Sequence, residues 1–389
     1  MLATEFKHEP VCQPPKARQR RFDRLTISTV WGDPLHPRTW SGAPYNIATA
    51  LRRLGVEVEG FSPRIGRGER LLFAAQHLLG RKGWLASQEQ LRRGAPARQR
   101  CAMQLAEFAA ETGARNFLHM GTFDLPPRDL LRSVKHYLYC DQTWLQSLRY
   151  RVDQPLMTSR AVAEYERLER ESFMRMEHIF TFGAYVRDSI VGHYGVPASK
   201  VSAIGSGMGH IEPYFGPKSY AVPRLLFVAK HLFVEKGGLL LLDGFFRALK
   251  KRSDLRLSIV GDRNVVDRIP RHDAITFYGH LPWHGLASLY REATLLAQPM
   301  LNDPWGQVYL EALISRTPIL GLNRNGLPEI VDGGRYGFLI DDPDPDALAE
   351  GILNAVSDPQ RLAAIARSGQ QHVLDTFSWD IAAERIAYK

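Results

Sequence analysis

Acidic residues, glycines and prolines are concentrated in residues 302–331, at spacings that suit a ligand site. Asp303 and Pro304 predict an N-cap with proline in the first helical position, followed by a helix over residues 305–315. The first N–H groups of such a helix have no partner inside it and carry the positive end of the helix dipole, so the expected ligand is an anion. We assign this contact to three consecutive residues, Gly306, Gln307 and Val308.

Two acids in this stretch, Asp303 and Glu311, are eight residues apart. On a helix that separation is roughly 12 Å, so the two carboxylates cannot act on one atom but can hold two ends of one long ligand. Glu311 is expected as an exposed carboxylate on the helix face. A second helix should begin within residues 325–329, after a short strand at 318–322, and it places Glu329 in its first turn. Two helix N-termini then converge on one pocket.

This arrangement resembles the donor site of retaining GT-B glycosyltransferases, specifically glycosyltransferase family 4, whose signature is Glu-x7-Glu. Asp303 stands at the first position and Glu311 at the second, so the spacing is kept while the first acid is one methylene shorter. The resemblance implies that Asp303 and the following amides hold the donor sugar, and that Glu311 holds the ribose of the nucleotide. The structural alternative is that Asp303 only caps a helix and Glu311 only faces solvent.

Two lysines follow a predicted strand at 225–228. Lys230 comes directly after the strand and Lys236 precedes a glycine pair that enters a helix, an arrangement that suits a diphosphate. The family has basic residues at the matching places to neutralise the leaving diphosphate, although Lys230 replaces the commoner arginine and the spacing is one residue longer. We therefore expect no metal and no cofactor, since the nucleotide sugar is itself a substrate. The alternative is two solvated surface lysines.

In the first half of the chain, Gly42 precedes a helix predicted at 43–54. Glycine at this position lets the backbone approach a phosphate or a sugar, although a lone glycine is more often a simple turn. The family resemblance implies that this loop, residues 40–42, lies between acceptor and donor. Gly42 is therefore included among the donor-binding candidates.

His119 and Asp141 lie at the carboxyl ends of predicted strands, where α/β sheets place their ligands. Family members often have a histidine at the second of these places, touching the donor sugar, whereas this chain has Cys140 there with Asp141 next to it. The catalytic role of that histidine then falls to Asp141, to His119 or to neither. A structural turn is the alternative for Asp141, and a satisfied strand-end histidine is the alternative for His119.

Strands alternate with helical patterns throughout, which implies parallel sheets covered on both faces. Two such halves predict an α/β protein with two doubly wound, Rossmann-like domains facing across a cleft, the GT-B architecture. The expected division begins with a flexible basic tail (1–22) and an N-terminal acceptor-binding domain (23–208). A linker (209–223) leads to a C-terminal nucleotide-sugar-binding domain (224–378). The resemblance implies that the last helix (379–389) crosses back to the N-terminal domain.

Length and composition agree with this division, because 389 residues with 44% hydrophobic side chains suffice for two full cores. Three cysteines without metal-ligand spacing favour a reducing compartment. Neither a signal peptide nor an apolar run of about 18 residues is evident, so a cytoplasmic protein is expected.

The net charge of +9 lies entirely in residues 1–217, which indicates an anionic partner for that half. Residues 64–100 carry nine basic and two acidic side chains among leucines and aromatics, a composition typical of contact with an anionic membrane surface. Such a contact would place the protein peripherally on the inner face of a membrane and favour a lipid-linked acceptor, whereas a merely solvated cationic face would not. No nucleic-acid-binding motif is present, and nucleic acid is not an expected partner.

The sequence thus predicts a metal-independent, retaining glycosyltransferase that moves a sugar from a nucleotide-diphosphate sugar to an acceptor hydroxyl. Two alternatives remain open. A hydrolysing nucleotide-sugar epimerase can share this fold, and a binding or scaffold protein with a decayed transferase site would account for Asp303 and Cys140 at positions where the family has glutamate and histidine.

Overall fold

Two parallel β-sheets organise the chain. The computed structural model describes residues 19–75, 91–123, 125, 134–149 and 158–388. The strands in these residues are β1 (Arg24–Ser28), β2 (Glu57–Phe61), β3 (Asn116–Met120), β4 (Lys135–Cys140), β5 (His178–Thr181), β6 (Val201–Ala203), β7 (Arg224–Ala229), β8 (Arg256–Gly261), β9 (Ile275–Gly279), β10 (Leu295–Ala297), β11 (Ile319–Leu322) and β12 (Gly337–Ile340). They form two six-stranded sheets within the described residues, in the orders β2-β1-β3-β4-β5-β6 and β12-β11-β10-β7-β8-β9.

Helices connect successive strands and cover the sheets. Their bounds are Ala43–Arg53, Arg67–Ala75, Ala95–Thr112, Trp144–Arg149, Ser159–Phe173, Ala184–Gly192, Gly238–Lys251, Trp283–Glu292, Gln307–Ile314, Leu327–Ile330, Pro345–Ala355, Pro359–Thr376 and Trp379–Ala387. Short 3₁₀ helices lie at Thr39–Gly42, Ala198–Lys200, Arg263–Arg268 and Asp332–Gly334.

The inner strands are largely apolar because parallel strands covered by helices must be buried on both faces, whereas the edge strands β2 and β9 are only partly buried. All four side chains of β11 are buried, as are the last four of β3. This apolar signal is why the strands predicted at 225–228 and 318–322 match β7 and β11 to within one residue at either end. The predicted α/β class with two doubly wound sheets is confirmed.

The expected tail boundary at residue 22 is too late. Phe22 is buried in the core, and the Arg21 backbone N–H donates to the carbonyl of Ala387 at 2.6 Å. Arg21 also donates from its guanidinium to the carbonyls of Ile386 and Tyr388. These contacts with the far end of the chain cannot be read from local composition, and they make the last basic residues of the predicted tail part of the fold.

The last helix, Trp379–Ala387, returns to the first sheet. It packs against helix Ala43–Arg53, where the Arg53 guanidinium contacts the Asp380 carboxylate at 2.5 Å. The Trp379 indole N–H donates to the carbonyl of Met208 at 2.8 Å, close to where the chain crosses to the second sheet. One buried core consequently includes side chains from both sheets.

The basic segment at 64–100 falls largely outside the described residues. Its described parts include helix Arg67–Ala75, on which Leu71 is exposed. No helix in the described part of the chain is long and apolar enough to cross a membrane.

A substitution at Gly207 tests how tightly the last helix packs against the residues around Gly207. A Cβ on Gly207 would lie 2.2 Å from Cδ1 of Trp379, so Gly207→Ala must displace that ring. We expect a loss of about 1–3 kcal/mol in the free energy of unfolding, as for other overpacked sites. Denaturant unfolding measures it. Gly192→Ala is the control, because a Cβ there meets no atom within 4 Å, and an equal effect of the two substitutions would contradict the packing argument.

Candidate active site

Lys236 and Asp303 form an ion pair at the carboxyl edge of the second sheet. Lys236 follows β7 and Asp303 follows β10, and these strands are neighbours, so their following loops meet. The distance from Nζ to Oδ2 is 2.9 Å, and the two side chains are only 17% and 20% exposed. A mostly buried pair of this kind holds both groups in place, since either charge alone would be costly to desolvate.

The helix after Asp303 begins later than predicted. It spans Gln307–Ile314 with Gly306 as its N-cap, so the prediction that Asp303 caps a helix starting at residue 305 is wrong. Gly306 has φ +71°, and a Cβ there would lie 2.9 Å from Met300 and Tyr309. Glycine is therefore required on both conformational and steric grounds. Gln307 and Val308 occupy the first turn, where amide groups have no intrahelical partner.

Glu311 is buried, contrary to the expectation of an exposed carboxylate. It is 4% exposed, and the Tyr290 hydroxyl donates to its Oε2 at 3.1 Å. Its Oε1 occupies the space that a side chain on Gly209 would need, 2.2 Å from the position of a Cβ. Burial raises the pKa of Glu311 to about 7, while the Tyr290 hydroxyl and the Lys236 charge oppose that rise.

Glu329 joins the two halves of the molecule. Its two carboxylate oxygens accept the backbone N–H groups of Ala184 and Tyr185 at 2.7 and 2.8 Å, at the start of helix Ala184–Gly192. The predicted donor-binding acid therefore lies, in this structure, in a contact between the domains. A carboxylate at a helix N-terminus is favoured by both the free amides and the helix dipole.

Trp305 fills the space beside this contact, and the sequence analysis did not single it out. Its side chain is 3% exposed, with its ring stacked on Tyr185 at 6.5 Å and edge-on to Phe182 at 6.0 Å between centroids. A Cβ on Gly326 would lie 2.5 Å from the Trp305 ring, so glycine is needed at this position to leave room for the indole. The only local signal was a large aromatic residue directly before a glycine.

Asp141 follows β4 and approaches Asp303 from the first sheet. Burial raises the pKa of Asp141 to about 7, and the negative charge of Asp303 adds to the rise. Asp141 and Asp303, which come from different domains, therefore interact electrostatically. The Tyr185 hydroxyl donates to the backbone carbonyl of Asp141 at 2.5 Å, which fixes the turn. The preceding Cys140 is fully buried, and burial raises the pKa of its thiol well above the ordinary value.

His119 lies inside the first sheet, away from solvent. It is fully buried, and its Nε2 is 3.0 Å from Nδ1 of His136 on the neighbouring strand β4. The two rings stack with centroids 5.2 Å apart. Burial, with the neighbouring charges of His119 and Arg175, lowers the pKa of His136 to about 3. A ring enclosed in this way cannot reach a substrate, so the catalytic prediction for His119 is corrected to that of a satisfied strand-end histidine.

The loop at Gly42 has an unusual backbone. Trp40, Ser41 and Gly42 have φ values of +42°, +54° and +84°, and Gly42 caps helix Ala43–Arg53. Left-handed conformations at non-glycine residues are rare and cost free energy, so surrounding structure must hold them. A Cβ on Gly42 would lie 3.0 Å from the Pro37 carbonyl and 3.7 Å from His210 Nε2. The loop therefore closes tightly against the linker between the domains.

Lys230, the other lysine predicted to bind the diphosphate, is exposed at the end of β7. Asp344, in the acidic stretch at 341–346, caps helix Pro345–Ala355 by accepting the amides of Asp346 and Ala347. Within the described ranges, no group of three or more histidine, cysteine or acidic side chains could hold a metal ion.

A family model for glycosyl transferases group 1 matches residues 217–372. This range is a group 1 glycosyltransferase domain. It contains the ion pair, the buried Glu311 and the interdomain Glu329, whereas Asp141 and Gly42 come from the domain before it.

Curated proteins also resemble this chain in sequence. The chain is 28% identical over 228 residues to a D-inositol 3-phosphate glycosyltransferase of Streptomyces avermitilis, covering 51% of this chain and 48% of that protein. It is 26% identical over 228 residues to a glycogen synthase of Mycobacterium tuberculosis, covering 57% and 54%. The chain thus spans about half the length of these relatives.

Solved structures with a similar fold also cover the N-terminal domain of this chain. Sucrose-phosphate synthase from Thermosynechococcus elongatus superposes with a TM-score of 0.71 at 16% identity, covering 94% of this chain and 97% of that one. Anabaena Alr3699/HepE in complex with UDP and glucose gives 0.62 at 15% identity, covering 94% and 98%. WaaG, a glycosyltransferase of lipopolysaccharide biosynthesis, gives 0.64 at 15% identity, covering 93% and 98%. The fold around the group 1 domain is GT-B.

The buried carboxyl of Glu311 makes stability depend on pH. Its pKa is about 7 when folded and 4.5 ordinarily, so between these values the folded protein keeps a proton that the unfolded chain has lost, and stability falls as pH rises. Glu311→Gln removes this loss. We expect the variant to exceed the wild type by about 1–3 kcal/mol at pH 8 and by much less at pH 5. Thermal unfolding at both values measures the difference, and a less stable variant at pH 8 would contradict it.

The Glu329 contact predicts a second stability effect. Glu329→Ala leaves two helix-terminal amides without their acceptor and should lower the free energy of unfolding by about 1–2 kcal/mol. The cleft should also widen, which small-angle scattering detects as a larger radius of gyration. Glu350→Ala, an exposed acid on helix Pro345–Ala355, is the control. Unchanged scattering and stability in Glu329→Ala would show that the domains are held together elsewhere.

Proposed function

We propose that the protein transfers a sugar from a nucleoside-diphosphate sugar to an acceptor hydroxyl, with retention of anomeric configuration and without a divalent metal. The observation that carries this proposal is the convergence of Asp141 from the first domain with the Lys236–Asp303 pair of the group 1 domain. That convergence supplies charged groups on both walls of a cleft at the carboxyl ends of parallel strands, where such folds bind ligands.

The donor would lie along the group 1 domain. Glu311, held by Tyr290, accepts the ribose hydroxyls, and a carboxylate fixed in this way accepts hydrogen bonds without reorganising. Lys230, Lys236 and the amides of Gly306, Gln307 and Val308 stabilise the diphosphate as it gains charge on leaving. UDP with glucose in the related Alr3699/HepE structure supports a uridine nucleotide as the first donor to test.

The sugar would lie between the two acids. Asp303 holds sugar hydroxyls from the group 1 side, and Asp141, whose pKa is raised to about 7, contacts the ring from the opposite wall. As the bond between the sugar and the diphosphate breaks, the sugar gains oxocarbenium character. The acceptor hydroxyl attacks from the face that the diphosphate leaves, and its proton passes to the departing diphosphate oxygen. The preorganised charges act on this transition state more strongly than on the ground state.

A nucleotide-release assay tests the activity. The protein is mixed with a panel of UDP-, GDP- and ADP-sugars, with and without candidate acceptors, and both free nucleotide and glycosylated product are measured. We expect product with retained configuration, in the presence of EDTA. Nucleotide release without transfer would indicate the epimerase alternative, no release would indicate a scaffold, and activity restored only by magnesium or manganese would refute the metal-independent mechanism.

Two substitutions at Asp303 distinguish a role in sugar binding from a purely structural role. Asp303→Ala leaves Lys236 without its partner and removes the sugar contact, so kcat/KM should fall at least about hundredfold. Asp303→Glu restores the acid of the family signature and should retain far more activity. Steady-state kinetics on both variants measures the contrast. Equal damage from both would mean that the site depends on the length of this side chain rather than on its charge.

A further inference from the structure

A cavity of about 400 Å³ opens beside the left-handed loop of the N-terminal domain. Its lining comes from the segment between β1 and helix Ala43–Arg53, which is the carboxyl edge of the first sheet. The donor candidates described above lie outside it. The lining residues are Trp31, His36, Arg38, Thr39 and Trp40.

Trp31 offers an aromatic surface. Its side chain is 45% exposed, yet its ring is held edge-on by Phe123 at 5.4 Å between centroids. An exposed indole fixed in this way loses little conformational entropy on binding, and it can cover the apolar C–H face of a sugar or polyol ring.

The charges at this cavity are unbalanced. In the part of the chain that the structure describes, the exposed Arg38 guanidinium makes no hydrogen bond and no ion pair. The His36 Nδ1 accepts the backbone N–H of Arg38 at 3.2 Å, which leaves the Nε2–H of that ring free to donate. Among the described residues that line the cavity there is no acid, and the neighbouring Asp33 accepts the amide of Leu35 with its Oδ1. Two hydrogen-bond donors, the Arg38 guanidinium and the His36 Nε2–H, favour an anionic group on the ligand.

The cavity is connected to the proposed reaction centre through aromatic rings. Trp40 lies 6.0 Å from Phe182, and Phe182 lies 6.0 Å from Trp305, which is two residues after Asp303. The cavity therefore lies at the same carboxyl edge of the first sheet as Asp141, with Phe182 packed between its lining residue Trp40 and Trp305. An acceptor must bind on this side of the N-terminal domain to direct a hydroxyl at a sugar held by the group 1 domain.

We infer that the acceptor is a hydroxylated ring or polyol bearing a phosphate or carboxylate, with its anionic group held by Arg38 and His36 and its ring against Trp31. This inference rests on the proposed transferase function and specifies its second substrate. A free sugar phosphate and a phospholipid headgroup share this chemistry, so the test has an arm for each.

Matched acceptors test the inference once UDP binding has been established by calorimetry. The free pairs are glucose with glucose 6-phosphate, glucose with glucuronate, and myo-inositol with myo-inositol 1-phosphate. The lipid pair is vesicles of phosphatidylcholine with or without phosphatidylinositol. Binding is followed by tryptophan fluorescence in the presence of UDP, and transfer by product formation from the donor found in the nucleotide panel. We expect the anionic member of at least one pair to bind and react better.

Variants of Arg38 test whether this residue is responsible for the preference for anionic acceptors. Arg38→Gln should lower kcat/KM for the anionic acceptor at least about tenfold, mainly through KM, while UDP affinity is unchanged. Arg38→Lys should recover part of the loss. Arg271→Gln removes an equally exposed charge before β9, at the opposite edge of the second sheet, and should have no effect.

Three outcomes would overturn the inference while leaving the transferase proposal standing. These are a preference for the neutral member of the pairs, equal losses on both members in Arg38→Gln, and binding of UDP with no response to any anionic acceptor in either arm. Failure of UDP and of every other nucleotide to bind would instead refute the transferase proposal itself.

Discussion

The contact between the Glu329 carboxylate and the amides of Ala184 and Tyr185 joins the two sheets beside the candidate site. Glu329 follows β11 in the second sheet and its partners follow β5 in the first, so one bidentate interaction joins the carboxyl ends of both. Trp305 fills the space beside it and leads directly to Asp303. Together with the buried core that both sheets share and the last helix, this contact keeps Asp303 and Asp141 close enough to interact electrostatically.

The acids in this cleft are kept at a cost to the folded state. Burial raises the pKa of both Glu311 and Asp141 to about 7, so at neutral pH the fold tolerates carboxylates that water would solvate better. A protein selected for stability alone would place neutral residues at these positions. Perturbed acids that share one cleft are the pattern expected of a functional site, and the Lys236–Asp303 pair partly offsets the local negative charge.

The sheets could be predicted from sequence because the inner strands are largely apolar, and the strands predicted at 225–228 and 318–322 match β7 and β11 to within one residue at either end. The site residues were found by motif, but their surroundings were not. The helix start was misplaced because Asp303 bonds to Lys236, a partner 67 positions earlier, rather than to the nearby amides. Glu311 was expected at the surface because its burial depends on Gly209 and Tyr290, which are distant in the chain. Local propensity contains no information about such contacts.

Two departures from the family pattern lie opposite each other in space. The first domain has Asp141 next to the position where a histidine is common, and the group 1 domain has Asp303 where glutamate is common. An acid with a pKa near 7 is protonated in part of the population at neutral pH, and in that form it donates a hydrogen bond as a histidine would. The charge of Asp303 contributes to that raised pKa, so the two acids are electrostatically coupled. A decayed site would accumulate unrelated changes, whereas the coupled acids and the mostly buried Lys236–Asp303 pair support the proposal that this cleft binds and activates a sugar.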